Sequence, residues 1–70
     1  MAIAIDADDI GKKVILTHEE GDQKDYYLAT LTLVKTTNNT VDTGYFSVPV
    51  SGENFIIDNG DENYSYEVIS

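Results

Sequence analysis

The sequence predicts an all-β protein, a small five-stranded antiparallel barrel or curved sheet that is SH3-like or OB-like. Residues that favour strands, namely Thr, Val, Ile and Tyr, are abundant, and no window has a sustained helical period with caps. Short apolar runs alternate with turns that contain Gly or Asn, as in small all-β folds. A chain of 70 residues is expected to form one domain over residues 1–70.

The first half of the chain predicts one helical turn and two strands. Residues 6–10 are expected to form the helical turn, with aspartates near its positive end. A first strand is predicted over residues 13–18, a turn over 19–22, and a second strand over 25–35. Successive side chains of a strand point to opposite faces, so one face of the second strand is expected to enter the core. That face carries Tyr27, Ala29, Leu31 and Leu33.

The third predicted strand covers residues 41–50 and follows a polar break at residues 36–40. Pro49 lacks an N–H group, so this strand is expected either to lie at an edge of the sheet or to end there. Its predicted inward residues are Phe46, Val48 and Val50.

Asn59-Gly60 is the sharpest local signal, because this dipeptide favours a two-residue type I′ turn between strands. Strand-forming runs at residues 55–58 and 61–69 flank it, which predicts a final hairpin. The hairpin would bring two aromatic rings into contact across its strands and would place several like-charged carboxylates close together at its turn. Its cross-strand pairs would be Asp58 with Asp61, Ile57 with Glu62, and Phe55 with Tyr64.

The charge of the chain narrows its partners. Thirteen carboxylates face four lysines, with no arginine, and the formal net charge is −9. Such a chain repels nucleic acid and anionic membranes and is attracted to basic surfaces. We therefore expect a partner with a basic protein surface, such as a nucleic-acid-binding protein, and no direct binding of nucleic acid or membrane.

Residue types suited to catalysis or metal binding are sparse. There is no cysteine, and the only histidine, His18, has no serine in a nucleophile motif to activate. Residues 6–11 begin like a calcium-binding EF-hand loop, but Ile10 replaces an oxygen ligand and Thr17 stands where a bidentate Glu is required. The glycines are isolated, so they form no phosphate-binding loop. The sequence predicts no enzyme, no catalytic residue, no metal and no cofactor.

The apolar runs are too short to form a membrane-spanning helix or a signal peptide. None approaches the roughly 20 residues of a membrane-spanning helix. The apolar run at residues 1–5 lacks the basic flank and the length of a signal peptide. The expected compartment is the cytoplasm.

The acidic surface itself is the candidate functional feature. If several acids converge on one side, the protein can occupy the basic groove of a nucleic-acid-binding protein as a polyanion mimic. Tyrosines beside the acids suit an interface, because they bury large areas and still form hydrogen bonds. If the acids are instead spread evenly, they only keep a small protein dispersed. The predicted partner-binding residues are Glu19, Glu20, Asp22, Asp58, Asp61, Glu62, Tyr64, Tyr66 and Glu67.

In size and charge the chain resembles the small acidic inhibitors that phages encode against host DNA-acting proteins, such as anti-CRISPR proteins and glycosylase inhibitors. The resemblance is one of composition and covers no motif. It implies a stoichiometric viral inhibitor that acts by occluding its target. The alternative function is a structural or assembly subunit, such as a small virion or adaptor protein. It would form a homo-oligomer through exposed strand edges and apolar patches.

Overall fold

The computed structural model describes residues 2–37 and 41–70 as one curved, antiparallel sheet of five strands, which confirms the predicted fold class. The strand order is β4-β3-β2-β1-β5, so β4 and β5 are the two edges and strand pairing does not close the sheet. The elements are a 3-10 turn at Ala7–Asp9, β1 at Lys13–Glu20, β2 at Gln23–Thr37, β3 at Val41–Val48, β4 at Glu53–Asp58 and β5 at Tyr64–Val68.

The helical turn before β1 forms where the sequence predicts it. Asp6 is extended and caps the turn, because its carboxylate accepts a hydrogen bond from the Asp8 N–H at 2.9 Å. Asp8 and Asp9 then stand in the first turn, at its positive end. Local capping chemistry is therefore sufficient to specify this element.

The hairpin of β1 and β2 is tighter than the predicted four-residue turn. Glu20 pairs with Gln23, so the turn itself is only Gly21-Asp22. Gly21 adopts φ 60°, a left-handed conformation that two-residue hairpin turns require and that glycine accepts without strain. As a result, Glu19 and Glu20 are strand residues at the tip of β1.

A β-bulge in β2 overturns part of the predicted core face. Leu31 pairs with Phe46 and Leu33 pairs with Tyr45, which leaves Thr32 as the extra residue. The Thr32 hydroxyl donates to the Tyr45 carbonyl at 3.1 Å. The extra residue reverses which side chains point inward, so Leu33 is 40% exposed although the alternation predicts it in the core. Beyond the bulge, Val34 packs against the core instead.

Strand β3 ends at Val48, so the prediction that Val50 points inward is wrong. Val50 is 90% exposed, in the turn that leads to β4. The reason is Pro49: β3 pairs with β2 and β4 on its two sides, and a residue without an N–H cannot continue an interior strand. The predicted break at residues 36–40 is in part occupied by β2, which continues to Thr37, and residues 38–40 lie outside the described residues.

The predicted hairpin around Asn59-Gly60 does not form. The turn itself is present, because the Asp61 N–H donates to the Asp58 carbonyl at 3.2 Å and Gly60 has φ 91°. Strand β4 pairs with β3, and β5 pairs with β1, so the predicted pairs Ile57 with Glu62 and Phe55 with Tyr64 are wrong. The Phe55 and Tyr64 rings do approach to 6.4 Å between centroids, but from strands at opposite edges of the sheet. In β5, Tyr64 and Tyr66 pack against the core beside β1, and an isolated two-stranded hairpin would be only marginally stable.

The N-terminal segment, residues 2–6, forms hydrogen bonds with the turn at Asn59-Gly60 and with Asp61. The Gly60 N–H donates to the Ile3 carbonyl at 2.8 Å, and the Ile3 N–H donates to the Asp61 carbonyl at 3.0 Å. The Ile5 N–H donates to Asn59 Oδ1 at 2.8 Å. These bonds close the core on the side that strand pairing leaves open. The buried core is formed by Ile3, Ile5, Val14, Leu16, Ala29, Leu31, Phe46, Val48 and Ile57.

Gly44 makes this closure possible. A Cβ atom at position 44 would lie 2.9 Å from Ile5 Cδ1 and 3.1 Å from Phe46 Cε1, which is too close for carbon atoms. Phe46 is fully buried and cannot move aside easily. The absence of a side chain at Gly44 therefore leaves the space that Ile5 fills.

We expect Gly44→Ala to reduce the free energy of unfolding by about 1–3 kcal/mol, the usual cost of overpacking a core. Ile5→Val removes the clashing methyl group, and alone it is expected to cost about 0.5–1.5 kcal/mol. In the Gly44→Ala background Ile5→Val should cost less, because it relieves the contact. Urea unfolding of the four proteins gives the coupling, and strictly additive effects would contradict the proposed packing.

Candidate functional site

The β1–β2 hairpin and the loop between β4 and β5 bring six carboxylates to one corner of the molecule. The Glu19 N–H donates to the Asn63 carbonyl at 2.8 Å, and β5 begins one residue later with Tyr64 opposite His18. This pairing holds residues 61–62 beside the tip of the hairpin. We call this cluster the acidic corner; its carboxylates belong to Glu19, Glu20, Asp22, Asp25, Asp61 and Glu62.

The corner holds more than half of the net charge of the chain. Six of the thirteen carboxylates and one of the four lysines lie there, for a formal charge of −5 in a chain of −9. The lysine is Lys24, whose Nζ lies 3.9 Å from Glu19 Oε2, with both side chains about half exposed. Such a surface pair contributes little to stability, since water and salt screen it. The corner therefore remains strongly negative.

His18 lies between two of these carboxylates. Its Nε2 is 3.9 Å from Glu20 Oε2 and its Nδ1 is 4.0 Å from Asp25 Oδ2, so a protonated ring would pair with either. The ring packs on Tyr64 with 4.7 Å between centroids. The structure thus places the single histidine within the corner, with no serine among the groups it contacts here.

Burial and the negative charges of the corner both raise the pKa of the Tyr64 hydroxyl. Burial raises the pKa of Tyr64, and the charge of Asp61 raises it further, followed by smaller effects of Tyr27 and Glu20. Charges on the loop and on the hairpin therefore act on one phenol. Asp61 and Glu20 therefore both lie near enough to Tyr64 to affect its hydroxyl.

Two predicted residues, Asp58 and Glu67, lie outside the corner. Asp58 ends β4 opposite Thr43, and its Oδ1 accepts a hydrogen bond from the Thr43 hydroxyl at 2.9 Å. Glu67 pairs with Ile15, on the face of β5 that points away from the core. Of the predicted residues, those brought together are Glu19, Glu20, Asp22, Asp61, Glu62 and Tyr64.

Tyr66 is engaged inside the molecule. Its hydroxyl donates to Asp9 Oδ2 at 2.7 Å and accepts from the Asp6 N–H at 3.1 Å, and its ring packs 5.5 Å from that of Phe46. The bond from Tyr66 lowers the pKa of Asp9, with further lowering by Lys12 opposed by partial burial. Burial and the bond to Asp9 raise the pKa of Tyr66. Tyr66 thus ties the N-terminal turn to β5.

Asp25 belongs to the corner although it was not among the predicted site residues. A two-residue turn at Gly21-Asp22 places it opposite His18, because turn length sets the register of a hairpin. A prediction that shortened the turn to the glycine and its neighbour would have found it. Alternation along β2 places Tyr26 and Leu28 opposite the predicted core face, and the structure leaves both exposed there, but neither was among the predicted site residues.

In the described part of the chain, no group of side chains is placed to hold a metal ion and no helix is long and apolar enough to cross a membrane. Among residues 2–37 and 41–70, no three His, Asp or Glu side chains converge closely enough to hold a metal ion. The helical content of the same residues is a three-residue turn, which is too short to cross a bilayer. Compared with models of known protein families, with curated proteins and with solved structures, the chain matches none significantly.

We expect Tyr66→Phe to destabilise the protein most between about pH 4 and pH 10. The lowered pKa of Asp9, ordinarily 3.8, means that its contribution is present above that value and is lost as the pH falls through the folded-state pKa. The raised pKa of Tyr66, ordinarily 10.0, means that its contribution is present below that value and is lost as the pH rises. Chemical unfolding across this pH range measures both effects.

Tyr26→Phe is the matched control, because Tyr26 is 64% exposed and lies on the outer face of β2. It should follow the wild-type profile. If the free energy of unfolding of Tyr66→Phe differs from that of wild type by the same amount at every pH, the Tyr66–Asp9 hydrogen bond does not contribute to stability.

Proposed function

We propose that the protein is a small acidic interaction module that acts in the cytoplasm by occluding a basic, nucleic-acid-binding surface of another protein. The observation that carries the proposal is the acidic corner, where six carboxylates from two separate chain segments meet. Such a concentration of charge competes with a polyanion for the same cationic groups and needs no catalytic step. The resemblance of the chain in size and charge to phage-encoded inhibitors of DNA-acting proteins agrees with this mode of action.

The distribution of charge supports recognition over simple dispersal. An evenly spread set of acids would give each face a similar share, whereas the corner carries −5 of −9 at one end of the hairpin. Charges within about 8 Å of one another act jointly at physiological ionic strength. A partner approaching the corner therefore meets several carboxylates at once, and its association is expected to be fast at low salt.

Self-association into an assembly subunit is the second candidate function. It is favoured by exposed apolar side chains, among them Val50 at 90%, Tyr26 at 64% and Ile56 at 63%. It is opposed by the net charge of −9 on each copy, which repels a second copy at low salt. Mass measurement over a range of concentrations separates the two functions, because occlusion of a partner requires no oligomer.

Competitive elution tests the occlusion directly. Proteins from an extract of the source cells are bound to DNA-cellulose at low salt, and the purified protein is added in excess. We expect it to release a subset of the bound proteins. Glu20→Gln with Glu62→Gln should weaken this release roughly tenfold, since each lost charge contact contributes about 0.2–1 kcal/mol.

The control is Asp8→Asn with Glu53→Gln, which removes the same charge from exposed positions outside the corner. It should release the same proteins as wild type. An equal loss of release by both variants would show that net charge alone acts. Equal release by all three proteins would show that the corner has no role, and release by none would overturn the proposed function.

A further inference from the structure

The outer face of β1, β2 and β5 carries an apolar strip beside the acidic corner. Val14 and Leu16 are fully buried, so the alternate residues of β1 point outward. Directly paired residues of antiparallel strands share a face, which places Leu28 beside Ile15 and Tyr26 beside Thr17. We define the apolar strip as Ile15, Tyr26, Leu28 and Val50.

Much of this strip is in contact with water. Tyr26 is 64% exposed, Leu28 is 48% exposed and Val50 is 90% exposed. Between Leu28 and the β3–β4 turn there is a depression of about 190 Å³, lined also by Pro49 and Thr30. Sites for small organic ligands are usually larger, about 300–1,000 Å³, so this depression fits a single side chain better.

The strip begins at the acidic corner and leads away from it. The Thr17–Tyr26 pair lies two positions from the Glu19–Lys24 pair at the hairpin tip, on the same outer face. The other carboxylates of the hairpin strands, Glu20 and Asp25, project from the opposite face at the same end. Glu67, which pairs with Ile15 on the other side of β1, adds a carboxylate along the flank. Lys13 lies at the far end, on the rim of the depression. The negative charge is thus concentrated at one end of the strip.

We propose that the apolar strip is the anchoring half of the partner interface, and that the partner is a protein surface on which an apolar side chain is bordered by lysines or arginines. This inference rests on the proposed function and specifies the chemistry of its partner. The basic groups meet the acidic corner, and the apolar side chain enters the depression beside Leu28. Lys13 at the rim disfavours a cation there.

Charge complementarity selects this partner over a second copy of the chain. A second copy brings its own −9 and its own acidic corner, so apolar contact between two strips works against repulsion. A basic surface gains from both halves of the interface. Tyrosine and apolar side chains that lose water completely supply most of the binding energy of protein interfaces, whereas rim charges mainly set the association rate.

The test uses the same displacement from DNA-cellulose with two matched variants. Tyr26→Thr with Leu28→Thr removes the strip and keeps a residue suited to strands. Leu33→Thr with Ile56→Thr removes comparably exposed apolar residues, at 40% and 63%, from the other half of the sheet. We expect the strip variant to release about tenfold less protein, with the salt dependence of wild type, and the control variant to act like wild type.

Each outcome decides one point. If wild type releases proteins and the strip variant releases them equally well, the inference is wrong and the proposed function stands. If wild type releases nothing, the proposed function fails and the inference fails with it. If the mass of wild type rises with concentration and the strip variant stays monomeric, a second copy covers the strip and the inference is overturned. Unfolding curves for both variants, and Tyr26→Thr alone, verify that the comparison is made between folded proteins.

Discussion

Closure of the core by the N-terminal segment is the constraint on which the rest of the structure depends. The sheet is curved but leaves β4 and β5 as separate edges, so a short chain would expose the middle of its core there. Ile3 and Ile5 cover that opening, and their backbone groups bond to the loop that joins the two edges. A chain of 70 residues buries only about 60% of the surface of its unfolded form, so the loss of two core residues would be felt throughout.

The same closure positions the acidic corner. The loop from Asn59 to Asn63 is held by residues 3 and 5 at its first half and by Glu19 at its second half. Asp61 and Glu62 lie between these attachments. Their place beside the hairpin tip is therefore a consequence of how the core is closed, and a repulsive set of carboxylates is kept together by contacts that are themselves largely uncharged.

The elements with local signals could be predicted, and those that depend on distant parts of the chain could not. Capping by Asp6 and the end of β3 at Pro49 follow from neighbouring residues. The bulge at Thr32 left no signal in the alternation of β2, so Leu33 was assigned to the wrong face. Asn59-Gly60 does form a local turn, but the strands on its two sides pair with β3 and β1, and this long-range pairing has no signal near the turn.

The candidate site divides in the same way. The composition predicts the negative charge of the site, because an excess of carboxylates is visible in the sequence without knowledge of the fold. Which residues belong to it depends on strand pairing, because β5 beside β1 adds Asp61 and Glu62 to the hairpin acids. Asp58 is joined to Asp61 through the backbone of the turn, but its carboxylate accepts a hydrogen bond from Thr43 instead. The aromatic and apolar residues divide by face. Tyr66 is used by the fold, whereas Tyr26, on the opposite face of the neighbouring strands, is exposed.

This division explains why charge alone is an incomplete account of recognition. Carboxylates at the tip of a hairpin are well hydrated, so exchanging water for a cationic partner releases little free energy per contact. They attract many basic proteins and distinguish poorly among them. An adjacent apolar strip adds hydrophobic binding free energy, which salt does not screen. This contribution is gained only when a partner of matching shape removes the strip from solvent. In the proposed interface, specificity therefore comes from the outer face, where Tyr26 lies two positions from the Glu19–Lys24 pair.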